Sequence, residues 1–485
     1  MITSMNCATG TLAPYQPSAE RPWNTQRAMH LFRRLSFGAS PQRIAEALTL
    51  DPVTLVNQLL NEAMAQPVTE APAWADLNVE DYDEDVFVEQ SGEQYTELIT
   101  GWTGEMLQRG VREKMTLFWS NHFVTKFEAY LCGSYLYRYH TLLQANAFGN
   151  FKDFTKSVGR SSAMLVFLNG IQNTRFEPNE NYARELYELF TLGADNGYTQ
   201  QDITETARAL TGFQNVQTYC DPIDFTLFTH DNGVKTIFGQ TGNWGFDDVH
   251  DILFEQRGDQ IANFICSKIY RYFVNPDVDE TIVAQLAQTF RSNDWEIAPV
   301  LRQLFRSEHF FDEANIGVRI KDPIEWFLNF VNETDAEVAP MMVQNLTYFT
   351  YLLGQQLHSP PDVSGWEGNR AWVNGSNLTG RWQGLDFLIF SFFTNQAERL
   401  RDLAKQIAGA ENNDPEEITR MIVDHWLPKG FQTEEEYERA TVVFKGEVPQ
   451  NYFDSGEWNL EWSTVPQQVA VLLYRMVRTP EFQLG

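Results

Sequence analysis

The chain has 485 residues, with 36 Lys and Arg against 65 Asp and Glu, so its formal net charge is −29, while 43% of it is hydrophobic. That apolar fraction is enough for a sizeable core and excludes a disordered acidic protein. The dominance of acids excludes broad binding to nucleic acid or to an anionic membrane surface, both of which need clustered Lys and Arg.

Helical periodicity dominates nearly everywhere beyond the first 25 residues. Residues 1–25 form a polar extension of irregular structure, with no basic segment leading into an apolar one, so no secretory signal is visible and a cytoplasmic location is the default. From Gln26 to Leu35, the apolar Ala28, Leu31, Phe32 and Leu35 recur at three- and four-residue steps, and Ser40-Pro41 opens a second helix. The acidic stretch Trp74 to Gln94 reads as a solvated loop or helix end, since it lacks the glycine of a calcium loop. Helices follow over Tyr95–Arg109, Val111–Phe127, Tyr135–Ala147, Phe151–Val158 and Asn179–Leu192, then over Thr199–Leu210, where Thr199 and Asp202 have capping-box spacing. Residues 213–239 break the pattern with Asp-Pro and Asp-Asn-Gly turn signals between short apolar alternations, which predicts a small β-hairpin insert. Helices resume over Ile261–Phe273, Thr281–Phe290, Val300–Phe305, Pro323–Val331 and Met341–Gln356. Pro360–Gly384 is rich in Gly, Pro and Trp and reads as an ordered loop, and Leu385–Val477 is helical again.

The expected fold is therefore mainly α, a large multi-helix single domain over 26–485 with sub-domains drawn around 26–212 and 240–485. No run of about 18 apolar residues occurs, so membrane insertion is not expected. Cys7, Cys132, Cys220 and Cys266 never form C-x-x-C and fit buried thiols or at most one disulfide. The P-loop, G-x-G-x-x-G, G-x-S-x-G and H-E-x-x-H motifs are all missing, which argues against the corresponding nucleotide, serine-hydrolase and zinc-protease chemistries.

Polar residues concentrate in four places. In Asn179–Phe190, Glu180, Arg184 and Glu188 fall on one helical line and Asn181, Glu185 and Glu188 on the next. Two acids beside an arginine can take different pKa values and share acid/base work, with Asn181 and Arg184 binding substrate; the alternative is an ordinary solvated helix with i,i+4 ion pairs. His230-Asp231 with Lys235 offers a divalent-cation site or a His general base oriented by Asp231, against a plain hydrogen-bonded turn. Phe118-Trp119-Ser120-Asn121-His122-Phe123 reads as a buried histidine on an apolar helix face, of interest only if His122 and Asn121 share a cavity with Glu180 and Glu185. Trp366, Trp372, Trp382 and Arg381 belong to the loop, where tryptophans either stack on sugar rings or plug a groove between helices.

Taken together, His30–Gly38, Arg112-Glu113-Lys114 with Phe118–Phe123, Asn179–Gly193, Gly197–Phe213, His230-Asp231 with Lys235, Pro360–Trp366 and Thr479–Phe482 resemble the bacterial domain-of-unknown-function 1800 family. The resemblance covers the chain from about Gln26 to its end and implies one mostly helical family domain, but no reaction. It also implies export in many members and a protein partner from a sulfatase-like family. The functional expectation is a hydrolase or transferase acting on an anionic or glycan substrate, with Glu185, Glu188, His230 and Asp231 catalytic and Asn181, Arg184, Lys235, Trp366, Trp372 and Arg381 binding substrate. The rival is a non-catalytic helical scaffold or partner-binding protein.

Overall fold

A computed structural model describes residues 10–83, 85–214 and 220–485. The first nine residues of the expected extension, Glu84 of the acidic stretch and residues 215–219 of the expected hairpin lie outside the described residues. Among the described residues the protein is mainly α, with 22 α-helices and two small two-stranded antiparallel sheets. No helix among the described residues is long and apolar enough to cross a membrane.

The central element is the helix Phe87–His122, which packs against Thr25–Leu35, Pro52–Ala65, Gly133–Asn146, Pro323–Glu333 and Pro340–Leu352. Periodicity predicts two helices here, separated at Gly110. The structure instead has one helix kinked at that glycine, whose φ of 1° and ψ of −65° are non-helical. A side chain at Gly110 would come within 2.8 Å of Ser36 Cβ, so the residue bends the helix and admits the first helix's C-terminus at the same point.

Local signals set most helix starts. Ser40 caps Pro41–Leu48 through the Arg43 amide, and Thr199 and Asp202 form the expected capping box on Gln200–Ala209. Asp322 and Glu325 do the same on Pro323–Glu333, with Pro323 in the first turn. The core is one continuous apolar cluster running from Leu12 to Phe482, and it includes the fully buried Trp102, Trp119, Trp326, Trp426 and Trp458.

The β insert is two ribbons. Phe213–Gln214 pairs with Asp224–Phe225, and Lys235–Ile237 pairs with Gln240–Gly242 around the positive-φ residues Phe238 and Gly239. The Asp231-Asn232-Gly233 turn therefore lies between the ribbons. A disulfide joins Cys132, at the N-cap of Gly133–Asn146, to Cys220 within the insert, and Cys266 is a buried free thiol. The expected loop Pro360–Gly384 extends only as far as Asn374 and includes one 3-10 turn, Asn369–Trp372. Asn374 then caps a helix over Gly375–Asn395, whose buried Arg381, Leu385, Leu388 and Phe392 form its inward stripe.

Candidate functional site

A cavity of about 480 Å³ opens between three helix ends and the tryptophan loop. The last turn of the long helix supplies Phe118, Asn121 and His122; the helix Gly258–Phe273 supplies Lys268, Arg271 and Tyr272; and the segment leading into Pro323–Glu333 supplies Arg319 and the N-cap Asp322. Trp366 and Trp372, 8% and 7% exposed, form the remaining wall.

The loop is fixed by its own polar tips. Asn121 Nδ2 donates to the Trp366 carbonyl at 3.2 Å, its Oδ1 accepts from the Trp366 amide at 2.7 Å, and the indole Nε1 donates to the Gly354 carbonyl at 3.1 Å. Gly365 makes this possible. Its φ is +85°, and a side chain there would sit 2.2 Å from Asn121 Oδ1. Gly365→Ala is therefore expected to unseat Trp366, lowering stability by about 1–3 kcal/mol and red-shifting tryptophan emission; an unchanged emission maximum and unfolding midpoint contradict this assignment.

The motif helix contributes backbone to this site. It is α-helical over Asn181–Glu185 and widens to a π-helix over Leu186–Thr191. At its end the Phe190 carbonyl accepts from His122 Nε2 at 3.0 Å, and the Leu189 carbonyl accepts from Lys268 Nζ at 3.4 Å. These are helix carbonyls left without an intrahelical partner, satisfied by side chains from the cavity wall. With Nε2 donating, His122 Nδ1 is the acceptor and takes a hydrogen bond from Lys268 Nζ at 3.1 Å. Burial and the Lys268 ammonium keep His122 well below the usual histidine range, so the ring is neutral; burial also brings Lys268 down to about 8.

Positive charge accumulates around the cavity. Lys114, fully buried behind the wall, and Arg319 on the lining both bind Glu325, held down at about 2 by Arg319 and Lys114 against its burial. Asp322 on the lining is raised to about 6 by burial and by Glu325. Arg34, 1% exposed, donates through Nη2 to the Val274 carbonyl, while its Nε and Nη1 have no partner among the described residues. Tyr272 Oη and Arg319 Nε are also buried without partners among the described residues. In a chain of charge −29, the lining brings Lys268, Arg271 and Arg319 together with the acids Asp322 and Glu367, and Arg34, Lys114 and Glu325 are buried close to Arg319. Unsatisfied buried donors facing surplus positive charge fit an anion.

Of the residues expected from sequence, Trp366 and Trp372 line this cavity, and His122 and Asn121 join them. Arg184 is half-exposed and pairs with Glu180 at 3.0 Å and Glu188 at 3.4 Å, i,i+4 contacts each worth about 0.2–0.5 kcal/mol. Glu180 also accepts from Thr204 and Gln200, and Asn181 donates to Asn169. The Glu185 carboxylate makes no hydrogen bond to a described residue, and burial with the Glu188 charge holds it above the usual carboxylate range. His230 Nδ1 bonds the Thr211 carbonyl at 2.9 Å, Asp231 pairs with Arg208 at 2.8 Å, and Lys235 donates to the carbonyls of Asp231 and Gly233. These three close the turn between the ribbons, away from the cavity lining. Arg381 is fully buried, donates to the Lys321 carbonyl at 2.7 Å and lies over Trp326; burial lowers it to about 10.

Lys268, Arg271, Tyr272, Arg319 and Asp322 were not singled out from sequence. One readable signal was Asp322-Pro323-Ile324-Glu325, a capping box with Pro in the first turn, which marks a helix start but not what gathers there. Among the described residues, three metal-type ligand atoms gather at Glu105, Glu113 and His140, within 4.8 Å of one another. Arg112 ion-pairs with both carboxylates, and Gln144 Nε2 donates to both, so their lone pairs already serve a buried polar network.

Fold and site together define a mainly helical protein built around a cationic, tryptophan-walled cavity. The chain matches, over residues 30–484, the family described as protein of unknown function (DUF1800), and it belongs to that family. No curated protein and no solved structure is significantly similar to it.

Proposed function

We propose that the protein binds a small anionic molecule, of the phosphorylated or sulfated sugar kind, in the Trp366/Trp372 cavity and acts on it as a hydrolase or transferase. The observation that carries this reading is the meeting of Lys268, Arg271 and Arg319 with Tyr272 Oη and Arg319 Nε, unpartnered among the described residues, in one concave space. The tryptophans supply apolar faces for a sugar ring, and the cations supply the anion's counter-charge. Asp322, raised to about 6, is the carboxyl on the lining suited to give up or take a proton near neutrality.

Calorimetric titration with inorganic phosphate, inorganic sulfate, a sugar phosphate and the parent sugar tests the binding. The anions are expected to bind, the sugar phosphate most tightly, and Arg271→Ala and Lys268→Ala each to weaken binding at least tenfold. Binding is expected to decline as pH rises through about 8, where Lys268 loses its proton. Failure of every anion to bind, or binding untouched by both substitutions, sinks the reading.

A second reading places acid/base work on Glu185 and Glu188, supported by the raised, partner-free Glu185 carboxyl. A turnover assay on Glu185→Gln separates the two readings. The non-catalytic scaffold remains the alternative if ligands bind without turnover. An exported location is supported by the Cys132–Cys220 disulfide, since such bonds persist in oxidising compartments.

A further inference from the structure

The helices Pro340–Leu352 and Gly375–Asn395 present an apolar outer face. Met341, Tyr348, Leu352 and Phe390 are 67%, 56%, 56% and 67% exposed, with Tyr351 and Phe387 also exposed. The helices run in opposite directions. Phe349 meets Phe387 with ring centroids 5.6 Å apart, and Gln396, just past one helix, exchanges hydrogen bonds with Glu337, just before the other. That sets Met341 toward the Phe390 end of the pair. Pro340–Leu352 has no charged residue, and the two charges in Gly375–Asn395 are withdrawn: Arg381 is buried, and Asp386 is held by both oxygens to Arg478 at 2.6 and 2.7 Å.

We propose that a second copy of this chain covers the face, giving a two-fold dimer in which two helix pairs pack as a four-helix layer. Aromatic side chains bury about 150–250 Å² each, so Tyr348, Tyr351, Phe387 and Phe390, each about half-exposed, leave roughly 400 Å² of apolar area, to which Met341 and Leu352 add. A standard interface buries about 800 Å² per partner, which this face approaches before its intervening polar edges are counted. Two copies of charge −29 repel over most of their surfaces. Here they meet with no unpaired charge to desolvate, and the rim at Arg399 is already paired with Asp335 and Glu337. A two-fold axis needs only this one patch, self-complementary in its helix pair. An anionic bilayer is the poorer occupant, because the face lacks the Lys and Arg that anchor interfacial helices.

Sedimentation velocity of the full chain from about 1 to 100 µM is the test, with Phe390→Glu and Met341→Glu as variants. Wild type is expected to sediment as a dimer, and each substitution to weaken dimerisation about 30-fold, in line with loss of a central interface contact. Both substituted positions are solvent-facing in one copy, so far-UV dichroism and the unfolding midpoint of the monomeric variants are expected to stay near wild type. A wild-type monomer at 100 µM overturns the proposal, as does a dimer indifferent to both substitutions, or a monomer that co-sediments with phosphatidylcholine vesicles through this face.

Discussion

Glu325→Gln is expected to lower folding stability by about 3–5 kcal/mol, because it leaves Lys114 and Arg319 buried without their counter-ion. Glu325 is 1% exposed and also accepts the Asp322 amide at 3.1 Å, so the substitution weakens the helix cap as well. The pH dependence has a definite sign. The folded-state pKa of Glu325, about 2, lies below its ordinary 4.5, so its stabilisation is complete above about pH 4.5 and is lost as pH falls through 2. Asp322 works the other way. Raised from 3.8 to about 6, it keeps a proton in the folded state that the unfolded chain has lost, and its contribution falls as pH rises from about 4 through 6. The gap between wild type and variant should therefore be full at pH 7 and close in strong acid. Guanidinium unfolding followed by tryptophan fluorescence measures it; a loss below about 1 kcal/mol at pH 7 would show that the pair contributes little. Adding Lys114→Met should recover part of the loss, since it removes one stranded charge.

Opening the Cys132–Cys220 bond is the second large effect. The two cysteines are 88 residues apart, and closing a loop of that length restricts the unfolded chain by about 4.5 kcal/mol on the entropy model, with measured losses of about 2–5 kcal/mol for native disulfides. The bond also fixes the insert locally, where the Tyr135 hydroxyl donates to the Asp221 carbonyl. The Cys132→Ser/Cys220→Ser double variant is expected to unfold at lower denaturant by that amount. Peptide mapping without reductant checks the pairing, and two free thiols in protein recovered under oxidising conditions would refute it.

Local patterns were legible where a local rule decides. Thr199 with Asp202, Ser40 with Pro41 and the apolar spacing of Ala28, Leu31, Phe32 and Leu35 each act within a turn or two of helix, and the structure has helices at each. The tryptophan loop was legible for the same reason as far as Asn374, and Asn374 marks where capping outweighs the glycines that follow. Gly110 was misread because a glycine in a helical pattern can end a helix or bend it. The choice was made by Ser36, far away in sequence. The motif helix was the densest polar run, yet what it gives the cavity is the carbonyls of Leu189 and Phe190, which have no sequence signature.

Composition and short-range pattern were enough for a mainly helical family member, acidic overall, with its distinctive polar residues in a few short motifs. Hydrophobic periodicity, capping residues and net charge depend on neighbours along the chain or on composition, so they can be read in one dimension. Tertiary structure alone decided that Lys268, Arg271, Arg319 and Asp322, from separate helix ends, face one cavity with His122 and Trp366. It also decided that Cys132 meets Cys220 and that Arg34 is buried with unpaired donors. Each of these depends on burial and on contacts between distant residues, where desolvation shifts pKa values and strands polar groups, and that is fixed only when the helices pack.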